Sequence, residues 1–300
     1  MSPLPKVGVI GVGAMGLGVV QSLRRHGYPV TVRDIRAEAE ALAMDCGATA
    51  RPTPAALGAE CAIVILLVVD AAQIDSVMFG EHGAAAALSP GSIVIVSSTV
   101  APAFVAALGA RLQDMGIRLL DAPVSGGPQR AAAGTMTVMV SGAAATITEC
   151  SALFGAIAGD SFAVGTIPGA AATFKVLNNQ LAAVNLAAGA EAMAMAMRAG
   201  VDPAKFMEVV NASSGASWIF TDRMTRALAG DRTPRAAVTL LHKDVGIAVD
   251  TAQAMGFTAP LARAARAAFV AAVAAGYGAE DDAAMVDFYS KATPTPHGKR

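Results

Sequence analysis

The chain has 300 residues at 30.0 kDa, with hydrophobic types at 54% but aromatics at only 5%, so its interior is built from Ala, Val, Leu and Met. Its 22 basic and 23 acidic residues leave a net charge of −1, with no block of like sign. That composition excludes disorder, collagen and disulfide scaffolds, and the lack of a basic stripe argues against nucleic acid or an anionic membrane as partner.

In chain order, Val7–Ile10 predicts a strand, followed by a helix ending near Gly27, a strand at Val30–Val32 and a helix through Leu42. Cys61–Val69 is the purest apolar run. At nine residues it is far short of the roughly 20 needed to span a bilayer, and it reads as a strand buried on both faces. Ser92–Val96 and Ile117–Leu120 are further strands, with a helix over Ala101–Met115 between them, and the alternating Thr135–Val140 predicts a late strand at the sheet edge. Strands alternating with helices predict an α/β, doubly wound, mostly parallel sheet. After Gly165 the pattern is helical throughout. One long helix over Gly169–Ala199 joins the halves, and helices follow at Phe206–Ala212, Trp218–Ala229, Val238–Ala254, Pro260–Ala274 and Glu280–Ser290. Length also favours two domains, here an α/β domain over 1–164 and an all-helical domain over 165–300. The tail Ala292–Arg300 is expected to fray.

The N-terminal stretch after Lys6 resembles a signal peptide superficially, but glycines interrupt its apolar core. Cys46, Cys61 and Cys150 form no CxxC and have no nearby His pair. They are expected to be buried free thiols of a cytoplasmic protein, with no metal site.

Gly11-Val12-Gly13-Ala14-Met15-Gly16 follows the first strand and opens a helix. There the first glycine makes the tight turn, the second lets a pyrophosphate touch backbone, and the third lets helix and strand pack closely. The helix N-terminus adds N–H groups and a positive dipole end. Asp34, 18 residues after Gly16, closes the second strand where a carboxylate accepts from a ribose hydroxyl. It repels a 2′-phosphate, so NAD is expected rather than NADP; the flanking Arg33 and Arg36 read as solvated surface charges. Val69 and Asp70 end one strand, and Thr99 follows another. Both Asp70 and Thr99 fit either a ligand position or a helix cap.

Ser125-Gly126-Gly127, in the loop opened by Asp121, makes a donor cluster suited to a carboxylate. Lys175 and Asn179 lie four apart on the long helix, hence on one face, in mostly apolar company. Hydride removal from an alcohol needs a group that takes the hydroxyl proton and holds the developing oxyanion, and a lysine in apolar surroundings does both. The competing reading of Lys175 is a snorkelling side chain. Lys243, beside Asp244 in a later apolar helix, fits either a ligand role or an ion pair with Asp244 or Asp250.

GVIGVGAMG, DAPVSGGPQRAAAGTMTVMVSG, FKVLNNQLAAVNLAAGAEAMA and LLHKDVGIAVD, in this order, resemble the β-hydroxyacid dehydrogenase (3-hydroxyisobutyrate dehydrogenase-like) family over essentially the whole chain. LLVVDAAQIDSVMFGEHGAAAAL and SGASWIFTDRM are most similar to its L-threonate dehydrogenase branch. The resemblance implies dinucleotide binding by Gly11, Gly13 and Gly16, with Ala14, Met15, Asp34, Val69 and Thr99. It implies substrate carboxylate binding by Ser125, Gly126 and Gly127, and Lys175 with Asn179 as the catalytic pair. Lys243 and Asp244 then approach the nicotinamide, and Lys243 the substrate. That branch carries a His-Gln pair where this chain has Asn178-Asn179, the pair of the hydroxyisobutyrate branch, and Ala171 stands where the family often has glycine. The implied function is NAD-dependent oxidation of a small hydroxy acid such as L-threonate, in a homodimer or homotetramer. Its rivals are a 3-hydroxyisobutyrate or tartronate-semialdehyde activity and a non-catalytic NAD(H) sensor. Imine reduction is disfavoured, because family members of that type lack the lysine standing here as Lys175.

Overall fold

A computed structural model describes residues 3–231 and 233–292. The chain divides into two compact units, Met1–Lys175 and Val176–Arg300. The first runs β1 (Val7–Ile10), α1 (Ala14–Arg25), β2 (Val30–Arg33), α2 (Ala37–Asp45), β3 (Thr49–Ala50), α3 (Pro54–Gly58), β4 (Ile63–Leu66), α4 (Ala71–Phe79) and β5 (Ile93–Val96). It continues through α5 (Pro102–Gln113), β6 (Arg118–Asp121), β7 (Val124–Ser125), α6 (Gly127–Ala133), β8 (Met136–Ser141), α7 (Ala144–Glu149), α8 (Ser151–Ile157) and β9 (Ala158–Gly165). The 29-residue α9 (Ala170–Arg198) begins in the first unit and ends in the second.

β1 to β6 are parallel in the order β3-β2-β1-β4-β5-β6, the doubly wound arrangement that alternating strands and helices predicted. Successive side chains on a strand point to opposite faces, and the apolar runs divide accordingly. Ile63, Ile65, Ile93 and Ile95 join α1, α2 and α8 in one core, through Val20, Leu23, Ala43 and Phe154. Val64, Leu66, Val94 and Val96 join α3, α4 and α5 in the other, through Leu57, Ile74, Met78 and Leu112. Both faces of each strand are covered, which is why these runs read as continuously apolar.

The late strand is corrected. β8 is not an edge: it pairs antiparallel with β6 and β7, and parallel with β9 along its whole length. β9 escaped sequence reading because AGDSFAVG is largely exposed and carries neither alternation nor an apolar run. Cys61 and Cys150 are buried free thiols, burial pushing both up in pKa, Cys150 to about 11. Cys46 is only half-buried.

The helix boundary that matters most is the start of α9. Asp121, the last residue of β6, is 1% exposed. Its Oδ2 accepts from the N–H of Gly169 at 2.9 Å and of Ala172 at 2.8 Å, and from Ser141 Oγ at 3.2 Å. Ser141 Oγ in turn accepts from the N–H of Ala171 at 3.0 Å. Two side chains of the sheet thus cap the first turn of α9, satisfying donors that have no intrahelical partner. Burial raises the Asp121 pKa above its ordinary value, the N–H groups of Ala172 and Gly169 opposing it.

The second unit contains α10 (Pro203–Asn211), α11 (Trp218–Leu228), α12 (Val238–Ala254), α13 (Pro260–Ala272) and α14 (Met285–Ala292) around Leu186, Met193, Phe220, Met224, Val245 and Phe269. α10 starts at Pro203, ahead of the expected Phe206, because Asp202 caps it, accepting from the N–H of Lys205 at 2.7 Å. The last helix starts later than expected, because Asp281 and Asp282 are drawn into a buried ion cluster ahead of it. Arg223 grips Asp282 at 2.6 and 3.1 Å, Arg226 pairs with Asp281 at 2.8 Å, and Asp281 accepts from the N–H of Arg235 at 2.8 Å. The cluster thereby fixes the approach to α12. Burial pushes Asp282 up to about 6, whereas the Arg226 guanidinium and backbone N–H groups outweigh burial at Asp281 and hold it low. The tail expected to fray lies, from residue 293 on, outside the described residues. Among the described residues no helix is long and apolar enough to cross a membrane.

The Asp121 cap predicts a specific weakness. Asp121→Asn keeps one oxygen for the converging donors but removes the charge that strengthens those bonds and puts an amide NH2 in the buried place of the other oxygen. It is expected to cost about 2–3 kcal/mol, lowering the melting temperature by several degrees. Ser141→Ala, which removes one weaker link, costs less; calorimetry of the two variants checks the order.

Candidate active site

Three glycines of the first turn serve different purposes. A Cβ on Gly11, at φ +90°, would lie 2.7 Å from the Leu67 backbone, and one on Gly16 would lie 2.0 Å from the Gly11 carbonyl oxygen. The fold itself therefore needs both. At Gly13 a Cβ would meet nothing nearer than the flexible Arg36 guanidinium, at 3.3 Å. Gly13 is also the N-cap of α1 and supplies no side-chain cap, while Ala14 is exposed and Met15 half-buried at the helix start. This uncovered backbone and positive helix end fit the pyrophosphate of a dinucleotide.

Asp34, just past the end of β2, is 8% exposed. Oδ2 accepts from the N–H of Val12 at 2.8 Å, and Oδ1 from the N–H and Nε of Arg36 at 3.0 and 3.3 Å. Burial pushes its pKa up, but the Arg36 and Val12 donors outweigh burial and hold it below the ordinary value. A carboxylate offers about four acceptor directions, so three are used and one is left for a ribose hydroxyl. Of the flanking arginines, Arg36 is solvent-exposed as expected while also resting on Asp34, whereas Arg33 is not: it is paired with Glu40 at 2.8 Å, a partner that sequence reading missed.

The two strand-end readings separate. Asp70 is the N-cap of α4, accepting from the N–H of Gln73 at 2.9 Å, and Val69 beside it is 48% exposed. Thr99 is not a cap: α5 begins from the extended Ala101 with Pro102 in its first turn, leaving Thr99 half-buried beyond β5. Ser125 closes β7, and Gly126 and Gly127 follow at φ +134° and +74°, conformations that L side chains rarely adopt. All three are half-buried.

Lys175 is 8% exposed, the one lysine among the described residues that is buried. Its apolar neighbours in sequence do not all surround it, since Phe174, Leu177 and Leu181 are 53–63% exposed. It stands three residues after Ala172, so the Asp121 cap sets its place. That role of Asp121 was also missed; the available signal was a carboxylate at a strand's C-terminal end. Asn179, 7% exposed, lies one turn further along α9. Within the second unit its Nδ2 donates to Asp244 Oδ2 at 2.7 Å, and Asp244 Oδ1 pairs with Lys243 Nζ at 2.9 Å. Asn178 Nδ2 donates to Asn179 Oδ1 at 3.2 Å. Lys243 therefore takes Asp244, not Asp250, which pairs with Arg266.

A parallel sheet in this order, with a glycine turn closing β1 and an acid closing β2, defines a dinucleotide-binding domain of the doubly wound class. The sequence matches the family described as the NAD binding domain of 6-phosphogluconate dehydrogenase over residues 6–165, and that described as NAD-binding of NADP-dependent 3-hydroxyisobutyrate dehydrogenase over residues 169–289. It is 46% identical over 283 residues to the L-threonate dehydrogenase of Cupriavidus necator, covering 94% of this chain and 95% of that one. To the L-threonate dehydrogenase of Escherichia coli it is 42% identical over 288 residues, covering 96% and 95%. The crystal structure of a 3-hydroxyisobutyrate dehydrogenase from Salmonella typhimurium matches with a TM-score of 0.87 at 40% identity, over 94% of this chain and 99% of that one. The chain belongs to the β-hydroxyacid dehydrogenase family, in its L-threonate dehydrogenase branch, and is an NAD-dependent oxidoreductase of hydroxy acids.

The contrast between glycines is testable. Gly13→Ala is expected to leave the melting temperature within about 2 °C of wild type while weakening NADH binding roughly tenfold or more. Gly16→Ala should instead destabilise the fold outright. Equal losses of stability in the two variants would refute the distinction.

Proposed function

We propose that the enzyme oxidises L-threonate, a four-carbon sugar acid, to its 2-oxo acid with NAD. In this reading residues 1–164 bind the dinucleotide, and residues 165–300 form the helical region for substrate and self-association. Gly11, Gly13, Ala14, Met15 and Gly16 hold the pyrophosphate, and Asp34 takes the adenosine ribose. Val69, Thr99, Lys243 and Asp244 complete the dinucleotide contacts. Ser125 and the N–H groups of Gly126 and Gly127 hold the substrate carboxylate, with Lys243 beside it. NAD held by these residues would supply the acceptor for the hydride, which leaves the substrate carbon with its electron pair. Lys175, beginning as the free amine, takes the hydroxyl proton as the C–O bond becomes a carbonyl, and its ammonium then holds the developing negative charge on oxygen. Asn179, tethered to Asp244, positions the lysine's turn of helix and the substrate hydroxyl.

The observation that carries the reaction is the buried Lys175 on a capped helix: a sensor that only bound NADH would have no use for it. The choice of L-threonate is supported by the relatives bearing that name. A 3-hydroxyisobutyrate activity is the second reading, favoured by the Asn178-Asn179 pair. A homodimer or homotetramer is supported by the row of exposed apolar residues Phe174, Leu177 and Leu181 on α9. A cytoplasmic location is supported by three free cysteines.

NADH formation against a panel of C3–C5 hydroxy acids tests the substrate: L-threonate should give the highest kcat/KM, and preference for 3-hydroxyisobutyrate would transfer the assignment to the second reading. Lys175→Met should bind NADH as wild type does while losing about a thousandfold or more in turnover.

A further inference from the structure

Glu40 lies in the first turns of α2, and its Oε1 collects two donors: the N–H of Asp34 at 3.0 Å and Arg33 Nη1 at 2.8 Å. Arg33 Nη1 also donates to the Asp34 carbonyl oxygen. The pair is largely withdrawn from solvent, Arg33 being 27% and Glu40 17% exposed at the side chain. Arg36 differs, 59% exposed while resting on Asp34. Four charges thus meet at the end of β2, Arg33 and Arg36 against Asp34 and Glu40, and they sum to zero.

We propose that Glu40 is a specificity-determining residue: by holding Arg33 in an ion pair it denies that guanidinium to a 2′-phosphate and keeps the enzyme selective for NAD over NADP. This deepens the proposed function, resting on Asp34 taking the adenosine ribose. A 2′-phosphate brings about −1.5 to −2 charges and is recognised best by arginine forks. Here one fork is neutralised by Glu40 and the other leans on Asp34, whose own charge repels the phosphate. Asp34 alone would leave two arginines against one acid, a site with a net positive charge. Glu40 removes that surplus, and its grip on the Asp34 N–H keeps the acid at the end of the strand.

Glu40→Gln separates these two duties, because the amide oxygen still accepts from the Asp34 N–H while the charge that pairs Arg33 is gone. Binding of NADH and NADPH is read by fluorescence titration, and kcat and KM for NAD and NADP are read with L-threonate. In Glu40→Gln the preference should shift toward the phosphorylated cofactor by about tenfold in the ratio of dissociation constants, appearing in KM for NADP and not in kcat. Adding Arg33→Gln should abolish the gain, since it acts through that guanidinium. A ratio within about twofold of wild type in Glu40→Gln, or a gain that survives Arg33→Gln, overturns the inference while leaving the NAD site intact. Failure of the wild-type enzyme to bind either dinucleotide would overturn the underlying reading, and this inference with it.

Discussion

A single buried carboxylate, Asp121, holds the chemistry-bearing parts of the first unit in register. It ends β6, opens the loop to Ser125, Gly126 and Gly127, and caps the helix that carries Lys175 three residues beyond its last contact. Burying such a group is expensive unless it is hydrogen-bonded. Backbone N–H groups, the Ser141 hydroxyl and the positive end of a 29-residue helix offset part of that cost at Oδ2. The consequence is geometric: the loop leaves from, and the lysine's helix is capped by, one residue, Asp121.

The same economy appears at the end of β2. Asp34 joins the glycine turn, through the N–H of Val12, to the start of α2, through Arg36, so the acid proposed to take a ribose also holds the glycine turn in place. Glu40 then holds Asp34 and Arg33 together. In a chain with so few charges, each of these carboxylates has several partners, and losing one disturbs more than one element.

Much of this was legible in the sequence. The strands buried on both faces, Val7–Ile10 and Ile63–Leu66 among them, announce themselves as apolar runs, and α12 runs from Val238 to Ala254 as its pattern indicates. The glycine turn was legible because its three glycines stand at fixed spacing between a strand and a helix, although only Gly11 and Gly16 are sterically required. What escaped was non-local. β9 is held by pairing with β8 and not by its own residues. Asp121 finds its helix 48 and 51 residues away. Glu40 is nearer, 7 residues from Arg33, but the pair depends on how the turn from β2 to α2 folds back. Nor does local sequence separate two polar residues at strand ends: Asp70 is a cap and Thr99 is not, because Ala101 and Pro102 set the start of α5.

The central claim is that the buried lysine of α9 moves the hydroxyl proton. Chemical rescue tests it most directly: turnover of Lys175→Ala with NAD and L-threonate is measured in the presence of small primary amines. The account predicts almost no turnover without amine, and a rate that rises with the amine's concentration and basicity. Wild-type turnover in Lys175→Ala without any amine would contradict it.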